Sequence, residues 1–263
     1  RDFEIFVSLP RQLRPGSNCA AVIALDANST WSCVSEIATR MARAGEIDDV
    51  ITVGIGTPRT EGDVAFGLRR FEELSPPAGE VAFQGDLGRF FLSIFATFGL
   101  DARKHFGLAP LFHRFLSEEL LPMLLRTLPI DPARLCLVGH SAAGTYAAYE
   151  IAQPDSLFAG VAVLSPGVRI SDDWMLKADG GLGGIAHRKQ VFVAIGGAER
   201  DNAFNKLAGI PLSERYADAL RQQGAGDNID YACLDGETHT TAFARAYALF
   251  LARRFARTEE ETI

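Results

Sequence analysis

The sequence predicts an α/β fold with a mostly parallel central sheet. Short apolar runs alternate with helical patterns along the chain, which is the order expected of strands joined by helices. Most of these runs are continuous and rich in Val, Ile and Ala, as is typical of parallel strands covered on both faces. The 263 residues are 48% hydrophobic and 22% charged, enough to bury a large core. We therefore expect one domain.

The elements follow from hydrophobic periodicity and from the signals at their ends. Strands are predicted at residues 3–9, 20–25, 50–54, 135–138, 157–164, 190–195 and 229–234. Helices are predicted at residues 31–44, 111–126, 146–152, 213–223 and 240–255, the first after an Asn-Ser-Thr start signal. Ligands of such folds bind beyond the carboxyl ends of the strands, so the loops that follow strands should carry the chemistry.

Residues 84–110 interrupt this alternation. The segment contains five phenylalanines among glycines and basic residues, and predicts an inserted apolar helix with a loop. Two interpretations stay open: a lid over an acyl group, or an extra helix packed on the core or at a dimer contact. A homo-oligomer is compatible with a helix at a dimer contact.

The charge of the chain argues against some classes of partner. A net charge of -7 and a pI near 5.3 disfavour nucleic acid, which is normally bound by a basic face. No apolar stretch reaches the length that spans a bilayer. The first residues, Arg1-Asp2-Phe3-Glu4, do not resemble a signal peptide, so the cytoplasm is favoured. Because the chain begins without Met, a periplasmic or secreted location follows if a leader was removed.

The four cysteines lack the spacing of a metal site. Cys19, Cys33, Cys136 and Cys233 mostly sit in strand-like runs, and we expect buried free thiols rather than disulfides or metal ligands. No metal and no organic cofactor is expected.

Ser141 is the candidate nucleophile. It follows the predicted strand 135–138 and precedes a helical pattern, which is the context of a nucleophile elbow. Gly139 and the small residues 142–144 allow the strand and helix backbones to approach each other. Ala143 stands where the second glycine of the usual Gly-x-Ser-x-Gly pattern would be. A role in close packing alone is the alternative.

A serine needs a base, and the chain offers five histidines. These are His105, His113, His140, His187 and His239. His239 alone follows the last predicted strand, in agreement with the order serine, acid, histidine of α/β hydrolases. The ring of His140 is expected to point away from the position of a base, and His187 lies at the wrong edge of the sheet.

The acid should follow the predicted strand 190–195, where Glu199 and Asp201 both qualify. Glu199 is preferred because it is nearer the strand end. A Ser-His dyad without an acid stays open, as does the interpretation that both carboxylates are solvated loop charges.

Acyl transfer also requires N–H donors for the oxyanion. The backbone amide of Ala142, after the nucleophile, is one candidate, and that of Asn28, after an earlier strand, is the second. Capping of the next helix by residues 28–30 is an alternative role that is compatible with the first.

Several stretches resemble the esterases of the α/β-hydrolase superfamily that cleave siderophores such as enterobactin and salmochelin, within the esterase D and antigen 85 group. They are EIFVSLP, VIALDANSTW, ITVGIGTP, RRFEELSPP, IDPARLCLVGHSAAG, VLSPGV and GETHTTAF. The resemblance implies an α/β-hydrolase fold, with Ser141 as nucleophile and His239 as base. It places Arg70 or Arg69 near an anionic or catecholate group of the substrate, the alternative being a surface ion pair with Glu72 or Glu73. The stretch SPGV lacks an aromatic pair found in relatives, which argues against a specifically catecholate substrate.

The expected activity is hydrolysis of a carboxylic ester through an acyl-enzyme intermediate, with a siderophore or another natural-product ester or lactone as substrate. Acyl transfer to an alcohol by the same residues and a catalytically silent binding protein on a hydrolase scaffold are the alternatives.

Overall fold

A seven-stranded sheet forms the centre of the protein. The structure, a computed structural model, describes residues 1–11, 18–171, 174–176 and 189–257, with no side chain described at 224–225. The strands are β1 (Glu4–Ser8), β2 (Cys19–Ala24), β3 (Val50–Gly56), β4 (Ile130–His140), β5 (Gly160–Leu164), β6 (Gln190–Gly196) and β7 (Ile229–Leu234). Their spatial order is β1-β3-β2-β4-β5-β6-β7. All pairs are parallel except β1 with β3, so the prediction of a mostly parallel sheet is confirmed.

The helices are α1 (Ala27–Ala44), α2 (Gly62–Glu73), α3 (Asp86–Thr97), α4 (Ala109–Arg114), α5 (Leu121–Thr127), α6 (Ala142–Ile151), α7 (Ala203–Ala208), α8 (Ser213–Leu220) and α9 (Ala242–Phe255). A wider helical turn, Phe115–Leu120, joins α4 to α5, so the predicted helix 111–126 is continuous. The sequence patterns missed α2 and α7.

Alternate residues of each buried strand face opposite sides of the sheet. On one face Ile23, Leu137 and Val193 contact a cluster built by α4, α5, α6 and α8. On the other face Val22 and Val138 pack against α1 and α9. Two apolar layers therefore hold the sheet between helices, and its carboxyl edge stays free for loops.

The Phe-rich segment builds a third apolar cluster of its own. Phe91 and Phe95 of α3 are buried against Ile195 at the end of β6 and against Ile210. Phe90 reaches α7, where its ring centroid lies 5.1 Å from that of Phe204. The segment is thus packed on the body of the protein beside the carboxyl edge of the sheet.

All four cysteines are free thiols, as expected, but their burial differs. Cys19 and Cys136 are buried in the sheet, Cys33 is half-buried, and Cys233 is exposed because β7 is an edge strand. Within the described ranges, no helix combines the length and hydropathy needed to cross a membrane.

Candidate active site

Ser141 occupies a sharp turn between β4 and α6. Its backbone has φ 61° and ψ -119°, a conformation that is strained for any residue other than glycine. The Ser141 amide donates a hydrogen bond of 2.9 Å to the carbonyl of Leu164 at the end of β5. The turn is the strand-to-helix geometry of a nucleophile elbow, which lifts the serine hydroxyl above the sheet edge.

The close backbone contacts at this elbow are made by Gly139 and Gly144, and not by residue 143, where the usual pattern would have its second glycine. A Cβ at Gly139 would lie 2.0 Å from the Ala143 carbonyl oxygen, and one at Gly144 would lie 2.4 Å from the Leu164 carbonyl oxygen. Ala143 itself is fully buried in the apolar cluster under α6. Its methyl group is therefore accommodated, and the departure from the usual pattern does not disturb the turn.

His239 and Glu199 are brought into direct contact. His239 Nδ1 lies 2.6 Å from Glu199 Oε2. A carboxylate only accepts hydrogen bonds, so the proton is on Nδ1 and Nε2 is the basic nitrogen of the ring. The His239 side chain is 30% exposed, whereas that of Glu199 is fully buried. The pair thus leaves part of a basic imidazole exposed and keeps its carboxylate away from water.

The second oxygen of Glu199 accepts two further hydrogen bonds. Ser165 Oγ donates to Oε1 at 2.6 Å and the Gly196 amide donates at 2.7 Å. Burial by itself raises the pKa of Glu199, but the bonds from His239, Ser165 and Gly196 outweigh burial and lower that pKa below its ordinary value. The carboxylate is therefore charged at neutral pH and fixed in orientation.

The His239 loop approaches β6 closely. The Ala198 amide donates to the Glu237 carbonyl, and a Cβ at Gly196 would lie 2.3 Å from that same carbonyl oxygen. Glycine at 196 lets the loop after β7 lie against the turn that carries Glu199.

His140 differs from its expected position. Its ring does not point away from the predicted base but packs against it, with the ring centroids of His140 and His239 4.5 Å apart. Burial, and then the neighbouring His239, lower the pKa of His140 to about 3, so this ring is neutral at physiological pH. The contact ties the predicted base to the residue directly before Ser141.

The remaining candidates lie elsewhere. His105 pairs with Glu72, and His113 Nδ1 lies 2.8 Å from Glu150 Oε2 in the core. His187 falls outside the described residues. Asp201 is exposed at the end of the turn in which Glu199 contacts His239.

The predicted oxyanion amides belong to two helix N-termini. Ala142 is the first residue of α6 and Asn28 the second residue of α1. The first four N–H groups of a helix have no partner within it, so both amides are free to donate to a bound oxyanion.

The predicted capping by residues 28–30 is wrong. Helix α1 begins at Ala27, four residues before the predicted start at Trp31, so residues 28–30 lie inside its first turn. The N-cap is Asp26, which has the left-handed conformation and makes no side-chain capping bond. The side chain of Asn28 contacts the backbone of Thr57 instead. Its Nδ2 donates to the Thr57 carbonyl and its Oδ1 accepts from the Thr57 amide, both at 2.7 Å. Asn28 thereby joins the start of α1 to the loop after β3.

Arg69 forms the ion pair with Glu73 that was the alternative expectation, although the pair is buried rather than at the surface, whereas Arg70 has a partner that was not expected. Arg70 Nε and Nη2 contact Asp26 Oδ2 at 2.8 and 2.6 Å. Arg69 is buried and bonds Glu73 and Glu61, which removes it as a substrate contact. The Arg70 side chain stays 25% exposed, beside the predicted oxyanion loop.

Two residues of the site were missed by sequence reasoning. For Ser165, the sequence indicated no role beyond its place in the Ser-Pro-Gly-Val stretch. Asp26 had the pattern of an ordinary loop residue. Both have positive φ, 44° and 56°, and both hold a charged partner. A polar residue immediately after a buried strand was the available signal for each.

Comparison with known proteins now adds to this geometry. Residues 93–252 match the model of the family described as "Putative esterase". The ferri-bacillibactin esterase BesA of Bacillus subtilis is 26% identical over 180 residues, which cover 67% of this chain and 57% of that protein. The chain thus matches less than two thirds of the length of this curated relative.

Solved structures share the fold. The BES protein from Bacillus cereus superposes with a TM-score of 0.76 at 20% identity, over 97% of this chain and 91% of that chain. Siderophore hydrolase EstA from Aspergillus nidulans gives a TM-score of 0.73 at 19% identity, over 95% and 90%. The family match covers more than half of the chain and includes Ser141, Glu199 and His239. The protein therefore belongs to this esterase family and has an α/β-hydrolase fold.

Proposed function

We propose that the protein is a serine hydrolase that cleaves a carboxylic ester through an acyl-enzyme intermediate. The observation that carries the proposal is the buried Glu199 held against His239, in loops that meet at the carboxyl edge of the sheet where Ser141 forms the elbow. Membership of the esterase family supports the same chemistry.

In the proposed mechanism His239 Nε2 takes the proton of Ser141 as the hydroxyl oxygen attacks the ester carbonyl. The amides of Ala142 and Asn28 donate to the oxygen that becomes negative, a contribution of about 3 kcal/mol for each donor. The imidazolium, stabilised by Glu199, then protonates the leaving alcohol. Water, activated by the same imidazole, releases the acid and restores Ser141.

The substrate class we favour is a siderophore or another natural-product ester or lactone. The names of BesA and EstA, which act on such compounds, support this class for the present chain. Arg70 supports it too, since both of its contacts to Asp26 use Nε and Nη2 and leave part of the guanidinium exposed for an anionic group. We further propose that residues 84–110 act as a cap within a single domain and line the route to Ser141.

The proposal is tested by labelling and by turnover. A fluorophosphonate should label the wild type at Ser141, and labelling should be lost in Ser141→Ala and His239→Ala. An ester panel from short p-nitrophenyl esters to ferric tri-lactone and hydroxamate siderophores then ranks substrates, with Ser141→Ala as control. Absence of labelling in the wild type would refute the proposed hydrolase activity. If every siderophore were hydrolysed more slowly than simple aryl esters, the proposed substrate class would be refuted. Acylation of an added alcohol would instead favour acyl transfer.

A further inference from the structure

The end of strand β5 contacts both the proposed nucleophile and the proposed acid. The Leu164 carbonyl accepts the Ser141 amide at 2.9 Å. The next residue, Ser165, donates its hydroxyl to Glu199 Oε1 at 2.6 Å. Two adjacent residues of one strand end therefore reach two loops that are far apart in sequence.

Ser165 has a backbone that aims its side chain at the acid. Its amide continues the β5–β6 pairing by donating to the Ala194 carbonyl at 2.7 Å. Its φ of 44° then turns the chain away from the sheet, in a conformation that costs free energy for serine. Only 1% of the residue is exposed, so bulk solvent does not reach the carboxylate on that side. Strain held in a buried polar residue beside a charged group indicates a functional constraint rather than packing.

The contacts of Glu199 divide between its two oxygens. Oε1 accepts from Ser165 and from the Gly196 amide, and Oε2 accepts from His239. Rotation of the carboxylate would break the two hydrogen bonds at Oε1. Oε2 is therefore kept in the direction of the imidazole, and its bond to Nδ1 keeps the imidazole in the tautomer that leaves Nε2 basic.

We propose that Ser165 is a positioning residue, which orients Glu199 and through it the basic nitrogen of His239. The proposal rests on the proposed function of Ser141, His239 and Glu199. Ser165 does not touch the substrate. Its hydroxyl shares the negative charge of Glu199, so its removal leaves a carboxylate that is both less fixed and a stronger partner for protonated His239.

The test measures the rate of fluorophosphonate labelling of Ser141 between pH 5 and 9, which requires no knowledge of the substrate. In Ser165→Ala the rate at neutral pH should fall about tenfold, as expected for loss of a charge-assisted hydrogen bond. The acidic limb of the profile should move to higher pH because the imidazole of His239 stays protonated up to a higher pH. The other titratable ring against His239 is that of His140, which stays neutral over this range.

Ser171→Ala is the matched control. Ser171 also has positive φ, 59°, and its hydroxyl donates to the Pro76 carbonyl rather than to the acid. Its labelling rate and pH profile should equal those of the wild type. Ser165→Cys, which keeps a weak donor of similar size, should lie between wild type and Ser165→Ala and serves if the alanine variant does not fold.

The outcomes separate the two proposals. Failure of the wild type to label, or labelling that survives in Ser141→Ala, would refute the proposed function. Normal labelling of the wild type together with an unchanged rate and acidic limb in folded Ser165→Ala would overturn the role of Ser165 alone. A reduced rate without movement of the limb would also overturn it, because a purely structural effect gives that result.

Discussion

Replacement of Arg70 by Met would leave the carboxylate of Asp26 without its cationic partner. The Asp26 side chain is 6% exposed and that of Arg70 is 25% exposed, so the pair is mostly buried. Removal of one partner of a fully buried pair costs about 3–5 kcal/mol. Because water can follow the partly exposed guanidinium into the vacated space, we expect a smaller loss of stability, about 2 kcal/mol.

The loss is measured by urea unfolding followed by circular dichroism. For a chain of this size about 2 kcal/mol corresponds to a fall in Tm of roughly 4–8 °C. Arg40→Met is the control, since Arg40 bonds Glu36 in an exposed pair on α1 and should cost about 0.5 kcal/mol or less. In the double variant Asp26→Asn with Arg70→Met, the total loss should be smaller than the sum of the single losses.

Kinetics distinguish the proposed contact of Arg70 to an anionic substrate from a second role, in which its ion pair with Asp26 holds the loop that carries Asn28. If the ion pair holds the oxyanion loop, kcat falls for every ester, whereas a contact to an anionic substrate raises KM for that substrate alone. The reasoning from the ion pair would be refuted if Arg70→Met were as stable as Arg40→Met and its kcat for a neutral aryl ester were unchanged.

Three further predictions follow from other contacts. Glu199→Gln should lower kcat about 10⁴-fold, since an amide can hold the wrong tautomer of the imidazole, and a loss under tenfold in ester turnover would favour a dyad. His140 has a pKa near 3 in the folded protein and an ordinary value of 6.5, so the unfolded chain binds more protons between these values and stability falls as pH drops from about 6.5. This residue contributes a slope of about 1.4 kcal/mol per pH unit, which urea unfolding at pH 6.5 and 5 should detect and His140→Phe should abolish. Gly144→Ala should destabilise by roughly 1–3 kcal/mol because of its contact with the Leu164 carbonyl, whereas Gly67→Ala in α2, with open space around it, should stabilise by about 1 kcal/mol; equal effects in thermal unfolding would contradict this.

The sheet was predictable from the sequence because its strands are buried on both faces. The run 20–25 and, after Gln190, the run 191–195 are apolar throughout, and this continuous pattern is typical of parallel strands covered on both faces. Helix α2 was missed because its buried face carries charged residues, among them Arg69 and Glu73, which pair with each other instead of forming an apolar stripe. Hydrophobic periodicity cannot detect such a helix.

The candidate site was predictable where order along the chain decides position. Ser141, Glu199 and His239 each follow a strand, and a parallel sheet gathers those loops at one edge. The contacts of Ser165 and Asp26 depend on positive φ at non-glycine residues, which local sequence does not reveal. The ring of His140 was misjudged for the same reason, because its direction depends on the turn at Ser141 rather than on strand alternation.

Strand β5 lies between β4 and β6, in the interior of the sheet, and its last residues hold both the elbow and the acid. Because both bonds start from an interior strand, fraying at the edges of the sheet does not reach them. Denaturant should then abolish turnover and secondary structure in one transition. An assay of residual activity would accordingly report the folded fraction of the protein.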